Sequence, residues 1–267
     1  MTKEKETSLM TLYGKALDNR VEHPILGDKF ADEAVKRIDY DFARLGFERG
    51  GHITLPMRAR HLDGWAREFI AANPVSTVLH LGCGLDTRVF RIDPPASVLW
   101  YDIDYPDVIE LRRRLYPERQ NYAMIGSSVT DLRWLEEVPS DRPVLVIAEG
   151  LVMYLSEDAA LALFRRITGT FPAGEFVFDA YSRLMTRLIS LVPAVRASGI
   201  TLAWGIGDPL ELEKQVPGLR LVDSVSFLTM PELVDRLSVS RLQRVTSGVM
   251  GRLGFYRRLI RHLRYRF

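Results

Sequence analysis

From residue 73 onward the chain alternates short runs rich in Val, Ile, Leu, Tyr and Trp with stretches whose apolar positions recur every three to four residues. Runs at 76–81, 97–104, 122–126, 144–149 and 175–179 have the composition of strands, and 106–116 and 157–170 between them read as helices. That order predicts βαβ units and a mostly parallel sheet. Ahead of it, 57–72 carries a helical rhythm through Leu62, Trp65, Ala66 and Phe69, whereas 1–56 is irregular to helical and punctuated by Pro24, Gly46, Gly50, Gly51 and Pro56. Neither stretch could form a core of its own. Residues 182–217 break the alternation with Pro193, Gly199, Trp204, Gly205 and Gly207, which predicts an insertion over the sheet edge acting as a lid or substrate cap. A strand-like 219–228 follows. The terminus alternates Leu263, Tyr265 and Phe267 with Arg264 and Arg266, a half-buried final strand with a solvated basic face.

Composition narrows the function classes. With 267 residues, 47% hydrophobic and 26% charged, the chain is a folded globular one rather than a disordered or repetitive one. Its length suits a single domain: a helical lid at 1–72, a cofactor-binding core at 73–181, the cap at 182–217, and C-terminal strands and helix at 218–267. No apolar window is long enough for a membrane span and the N-terminus has no apolar core segment, so a cytoplasmic location is expected. The basic excess is local. Residues 252–267 hold six Arg and no acid, and without them 30 bases face 34 acids, so a nucleic-acid partner is not expected. The single Cys83 permits no internal disulfide, and the five histidines lack ligand spacing, so no metal is expected.

The most informative segment is Val78-Leu79-His80-Leu81-Gly82-Cys83-Gly84-Leu85-Asp86-Thr87-Arg88. An apolar strand running into Gly-x-Gly allows a sharp turn and the close approach of a ligand, and the missing third glycine disfavours a pyrophosphate. The next strand ends in Asp102-Ile103-Asp104, about 20 residues downstream, where such sheets hold ribose hydroxyls. Glycine turn and acid together imply an adenosyl ligand. Asp104, nearer the open end, is the expected ribose partner, while Asp102 is equally a helix-pairing or solvated acid.

Several runs resemble the leucine carboxyl methyltransferase family of S-adenosylmethionine-dependent enzymes, in particular its bacterial polyketide O-methyltransferase branch. They are Lys15-Ala16-Leu17-Asp18 with His23-Pro24-Ile25-Leu26, Gly82-Cys83-Gly84-Leu85-Asp86-Thr87-Arg88 with Phe90-Arg91, Trp100-Tyr101-Asp102-Ile103-Asp104-Tyr105-Pro106, Ser127-Ser128-Val129-Thr130-Asp131-Leu132, and Ala148-Glu149-Gly150 with Met153-Tyr154-Leu155. The resemblance runs in order through nearly the whole chain. It implies a Rossmann-like class I methyltransferase fold: a seven-stranded, mostly parallel α/β sheet with helices on both faces. It also implies S-adenosyl-L-methionine as cofactor. Lys15 and Arg58 would hold the methionine carboxylate, and Gly82, in the turn with Cys83 and Gly84, would line the amino-acid part. Asp104 would hold the ribose, Ser128 and Val129 would flank the adenine, and Glu149 would face the ammonium or sulfonium. Ser128 stands where the eukaryotic branch resembles an Asp, which leaves the adenine amine to the backbone or to Asp131.

Other residues carry two readings. His80, on the face of Val78 and Gly82, reads as a satisfied core histidine, and Cys83 as a small residue suited to a crowded turn. Arg88 and Arg91 are expected to pair with Asp86, Asp93 or the loop backbone. Tyr154 and Tyr181 fall where strand ends open toward a ligand but are also ordinary core edges, and Trp204 either walls a flat substrate or anchors its loop. No catalytic residue is singled out. The expected partner is a small-molecule acceptor, a carboxylic acid giving a methyl ester. Arg183, Arg187, Arg196 and Tyr181 are the candidate anchors for it. A phenol, with His61 or Tyr154 as base, is the alternative acceptor; an NAD-dependent oxidoreductase and a non-catalytic cofactor-binding regulator are alternative functions. Nothing in the sequence indicates an oligomeric state.

Overall fold

A computed structural model describes residues 3–45, 53–191, 201–237, 246 and 248–267. Seven strands, β1 (Thr77–Leu81), β2 (Leu99–Asp104), β3 (Tyr122–Gly126), β4 (Val144–Ala148), β5 (Gly174–Tyr181), β6 (Arg220–Ser226) and β7 (Ile260–Arg266), form one sheet in the order β3-β2-β1-β4-β5-β7-β6. Only β7 runs against the others. The expected fold class is therefore present, with the ends of β1 to β6 at or within two residues of the sequence reading. One shift has a visible cause: β6 stops at Ser226 because Phe227–Thr229 turns into a short 3-10 helix that buries Phe227.

Both faces of the sheet are covered, and the period of two along each strand sorts the side chains between them. Leu79, Leu81, Val144, Val146, Ala148, Phe176 and Phe178 share a core with Leu163, Phe164 and Ile167 of helix α6 (Glu157–Thr170). On the other face Val78, Leu145, Ile147 and Val177 share a core with Leu62, Trp65, Ala66 and Phe69 of α3 (Thr54–Ala72) and Val89 of α4 (Arg88–Ile92). The N-terminal helices α1 (Lys3–Asp18) and α2 (Lys29–Arg37) pack together through Leu9, Leu12, Ala16, Ala31 and Ala34, and also onto Leu85, Leu115 and Tyr116. The turn between them is tied down by Asp18, whose carboxylate accepts from the backbone N–H groups of Ile25, Leu26 and Gly27 at 2.8, 2.7 and 3.1 Å.

The described part of 182–217 is not irregular throughout: it holds α7 (Arg183–Ser190) and a helix at Leu210–Gln215, and it returns Trp204, Ile206, Leu212 and Val216 to the main core. The Trp204 side chain is buried in that core, which favours the loop-anchoring one of its two readings, and its backbone N–H donates to the Met153 carbonyl at 3.2 Å. Arg196 lies outside the described residues. The basic face of the final strand is not uniformly solvated either, because β7 lies between β5 and β6 rather than at an edge. Arg264 pairs with Glu175 at 2.7 Å and Glu68 at 2.6 Å, the buried Arg261 donates to the carbonyls of Ile206 and Gly207, and only Arg266 stays exposed.

Candidate active site

The carboxyl ends of the parallel strands β1, β2, β4 and β5 lie on one edge of the sheet, and the glycine turn follows β1 there. Gly82 and Gly84 have φ of +59° and +50°, a region glycine enters without penalty. A Cβ at Gly82 would lie 2.9 Å from Leu151, and one at Gly84 3.0 Å from Ser8 of α1, so the N-terminal helix crosses directly over the turn. Asp104 closes the second side. Its Oδ2 accepts from the Gly84 N–H and its Oδ1 from the Tyr105 N–H, both at 2.7 Å, which leaves lone pairs for further donors. Its half-buried position raises the carboxyl despite those two N–H groups. Cys83 is buried, and burial pushes its thiol well above the usual range, so it is a packing residue and not a nucleophile.

Beside the turn lies a dense ionic cluster. Glu149, the residue after β4, accepts at Oε1 from Lys15 Nζ at 3.3 Å and Arg58 Nε at 3.2 Å, and at Oε2 from Arg88. Lys15 also meets Asp86 at 3.0 Å. Arg58 reaches Asp179 of β5 at 3.3 Å. Behind them Asp63 of α3 receives Arg88 Nε and Arg91 Nε, each at 2.6 Å, and Arg91 continues to Asp86 and to Asp28. Burial alone would raise these carboxyls, yet Lys15, Arg88 and Arg58 hold Glu149 far below the ordinary range, and Arg91, Lys15 and Arg88 do the same for Asp86. Asp179 differs: burial leaves it raised against the pull of Arg58.

Of the cofactor candidates, Lys15 and Arg58 both reach Glu149, and the turn of Gly82, Cys83 and Gly84 is bonded to Asp104 through the Gly84 N–H. Ser128 and Val129 lie just past β3, with the Ser128 hydroxyl 2.8 Å from Thr130 Oγ1 and Val129 buried. Asp131 is engaged elsewhere, capping the turn at Leu132–Glu137 and pairing with Arg133 at 2.6 Å. Tyr154 is 40% exposed and Tyr181 half-buried. Desolvation raises both hydroxyls, Tyr181 up to about 12 with Asp179 adding to the effect. Of the arginines considered as anchors for an acceptor, Arg187 is exposed, and Arg183 is exposed with a long contact to Glu211 at 3.7 Å.

The remaining readings resolve in particular ways. Asp102 is the helix-pairing acid, fully buried under Arg112 of α5 (Pro106–Leu115), with Trp100 Nε1 at 2.9 Å, His80 at 3.1 Å and the Tyr122 hydroxyl at 2.6 Å. Burial would raise it, but Arg112 and His80 bring it down to about 2. His80 is a satisfied core residue between Asp102 and Arg88. Asp93 belongs to Arg119, not to Arg88 or Arg91. Sequence reasoning did not single out Asp28, Asp63 or Asp179. For Asp179 a signal existed, an acid near the carboxyl end of an apolar strand; Asp63 and Asp28 look like ordinary helix and cap residues.

The geometry fits the amino-acid end of S-adenosylmethionine. Lys15 and Arg58 suit a carboxylate, Glu149 an ammonium, and the Cβ-free turn with Asp104 a nucleoside. Residues 8–168 match the family model of leucine carboxyl methyltransferase. The chain is 46% identical over 98% of its length to tetracenomycin polyketide synthesis O-methyltransferase TcmP of Streptomyces glaucescens, covering 97% of that protein. It is 38% identical to the S-adenosyl-L-methionine-dependent methyltransferase dpfgK of Gibberella zeae, covering 82% of this chain and 81% of that one. Among solved structures, a DUF574 family protein from Streptomyces avermitilis matches in fold with a TM-score of 0.59 at 13% identity, covering 95% of this chain and 96% of the other. The plantazolicin methyltransferase BamL with bound SAH matches with a TM-score of 0.52 at 11% identity, over 97% of both chains. No helix among the described residues is long and apolar enough to cross a membrane. By sequence, fold and cluster, the chain belongs to the leucine carboxyl methyltransferase family and is an S-adenosylmethionine-dependent methyltransferase.

Proposed function

We propose that the enzyme methylates the carboxylate oxygen of a small, polyketide-like organic acid and gives a methyl ester. In this reading Lys15 and Arg58 hold the methionine carboxylate, Glu149 the ammonium, Asp104 the ribose, and Ser128 and Val129 flank the adenine. The bound cofactor supplies a methyl group on a sulfonium sulfur, transferable to an oxygen nucleophile as neutral thioether departs. The amino-acid part is a zwitterion. It can enter between Lys15, Arg58 and Glu149 by exchanging their mutual contacts for its own, without changing the net charge of a buried cluster. Residues 1–72 serve as a lid and 182–217 as a cap; the approach of Ser8 to Gly84 supports the first.

The choice of a carboxylate is supported by one observation: the two hydroxyls whose charge bears on Arg58, Tyr154 and Tyr181, are raised by burial and are donors rather than bases. Tyr154 and Tyr181 stay protonated at neutral pH and, with Arg58, suit an anionic oxygen. A carboxylic acid of pKa about 4 is already ionised and needs no base, whereas a phenol of pKa about 10 does. His61, the other base considered for a phenol, is already bonded to His262 at 2.9 Å. What the chain must then supply is alignment of acceptor oxygen, methyl carbon and sulfur in a dry pocket, an effect worth roughly 7–11 kcal/mol. The O-methyltransferase name of the Streptomyces relative agrees with an oxygen acceptor and does not distinguish a carboxylate from a phenol.

Methyl-labelled cofactor with a panel of aromatic and aliphatic acids, and of phenols without a carboxyl group, tests this. The expected product is released by mild base and forms at a rate that shows no basic limb toward the phenol pKa of about 10. A base-stable ether, or a rate climbing with pH toward that value, contradicts the ester reading.

A further inference from the structure

Val177 belongs to the core shared with α3, and the period of two along β5 puts the side chain of Asp179 on the same face. Ala148 and Phe178 are partners in the parallel β4–β5 register, so Asp179 stands beside the first residues past β4. Its two bonds follow from that placement. The Gly150 N–H donates to Asp179 Oδ1 at 2.5 Å, and Arg58 Nη1 donates to Oδ2 at 3.3 Å. Arg58 Nε in turn donates to Glu149 Oε1 at 3.2 Å, and Glu149 precedes Gly150 in the chain. The contacts thus form a closed circuit through Asp179, Arg58, Glu149 and Gly150.

Within the circuit the three side chains differ. Asp179 is fully buried, and both of its partners are N–H donors, so both oxygens accept and the ionised form is the one the contacts require. Burial opposes the Arg58 charge, but the carboxylates of Asp179 and, next, Glu149 hold the guanidinium above its ordinary range. Arg58 keeps one nitrogen free: with Nε on Glu149 and Nη1 on Asp179, Nη2 has no hydrogen-bond or ion-pair partner among the described residues. A Cβ on Gly150 would lie 3.1 Å from that Nη2, so the glycine leaves this edge of the guanidinium uncovered.

We propose that Asp179 is a positioning residue: it keeps its hold on Arg58 Nη1 and on the Gly150 N–H when the cofactor binds, and so aims the free Nη2 edge at the methionine carboxylate while Glu149 turns to the ammonium. The proposal rests on the roles of Arg58 and Glu149 given above. It separates the two acids that meet Arg58. Glu149 is the partner that is exchanged for the ligand, and Asp179 is the partner that stays. A buried carboxylate stripped of its cation is strongly destabilising, so the partner with no other charge to turn to is the one that remains paired. An arginine already held in its binding rotamer also spares the ligand the cost of ordering a long side chain. The bond to Gly150 fixes the turn that carries Glu149, so one carboxylate sets the spacing of both ligand-facing groups.

Calorimetry of the full-length enzyme with adenosylhomocysteine, and with methylthioadenosine, which lacks the amino-acid group, tests this. In D179N the asparagine can accept from only one of the two donors. Adenosylhomocysteine is expected to bind D179N about tenfold more weakly than wild type, and methylthioadenosine within about twofold, because only the first ligand uses Arg58. Equal changes for both ligands, including none, would leave Asp179 a structural residue at most, and tighter binding of adenosylhomocysteine would mean that Asp179 competes with the ligand for Arg58; each overturns the proposal. R58A locates the fault: if it leaves the ratio of the two affinities at the wild-type value, the carboxylate reading of Arg58 is what fails. A crystal structure of the wild-type enzyme with adenosylhomocysteine needs no variant and decides the matter even if D179N does not fold. Arg58 Nη1 is expected to remain on Asp179 with the ligand carboxylate at Nη2, and an Arg58 that has left Asp179 overturns the proposal.

Discussion

Replacing Glu149 with Gln is expected to weaken adenosylhomocysteine binding about a hundredfold and to lower stability by about 3 kcal/mol, the scale set by removing one partner of a buried ionic group. The carboxylate is nearly inaccessible and receives three cations, two at Oε1 and one at Oε2. Glutamine keeps the shape but turns an N–H₂ toward one of them and withdraws the charge that we propose meets the ligand's ammonium. Calorimetry and urea unfolding of the same protein separate the two losses. The sign with pH is fixed. The wild-type carboxyl lies below its usual value when folded, so its stabilisation is complete above about pH 4.3 and fades as pH falls through the folded value. The stability gap between wild type and E149Q should therefore narrow in acid; a gap that widens refutes the ionised, paired state of Glu149.

The second large effect is structural. Asp63 has no solvent exposure and holds Arg88 and Arg91 together, the latter through both of its oxygens. Asparagine can accept at only one of those positions and leaves two buried guanidinium groups short of charge. D63N is expected to lose about 3–5 kcal/mol, enough to lower the melting temperature by roughly 10 °C for a chain of this size. D131N is the control. Its ion pair with Arg133 is at the surface, and its removal should leave melting unchanged. Equal melting of D63N and wild type by calorimetry would mean that the cluster does not hold the turn in shape.

These two residues also mark what the sequence can and cannot convey. The strands were legible because parallel strands covered on both faces are short, nearly unbroken apolar runs, as at Val144–Ala148, where all five residues are buried. The glycine turn was legible because an apolar strand running into Gly-x-Gly marks a sharp turn, and Gly82 and Gly84 do take positive φ there, beside Asp104. Lys15, Arg58 and Glu149 carry no local pattern and emerged only through the likeness of several separated runs to one family. Asp63 was invisible for a plain reason: an acid on an amphipathic helix looks solvated until tertiary packing turns it inward. The same limit applied to β7, whose alternation was clear while its place between β5 and β6, and hence the burial of Arg261 and His262, was set by topology. Trp204 was ambiguous because irregular segments have no periodicity that assigns a face.

The central claim is that Lys15, Arg58 and Glu149 form a cradle for a zwitterionic amino acid attached to a nucleoside. Comparing the affinities of adenosylhomocysteine and methylthioadenosine for the wild-type enzyme tests it most directly, because the second ligand keeps the nucleoside and thioether but lacks the amino-acid group. The two charge-assisted contacts predict that methylthioadenosine binds at least about a hundredfold more weakly. Equal affinities would contradict the account.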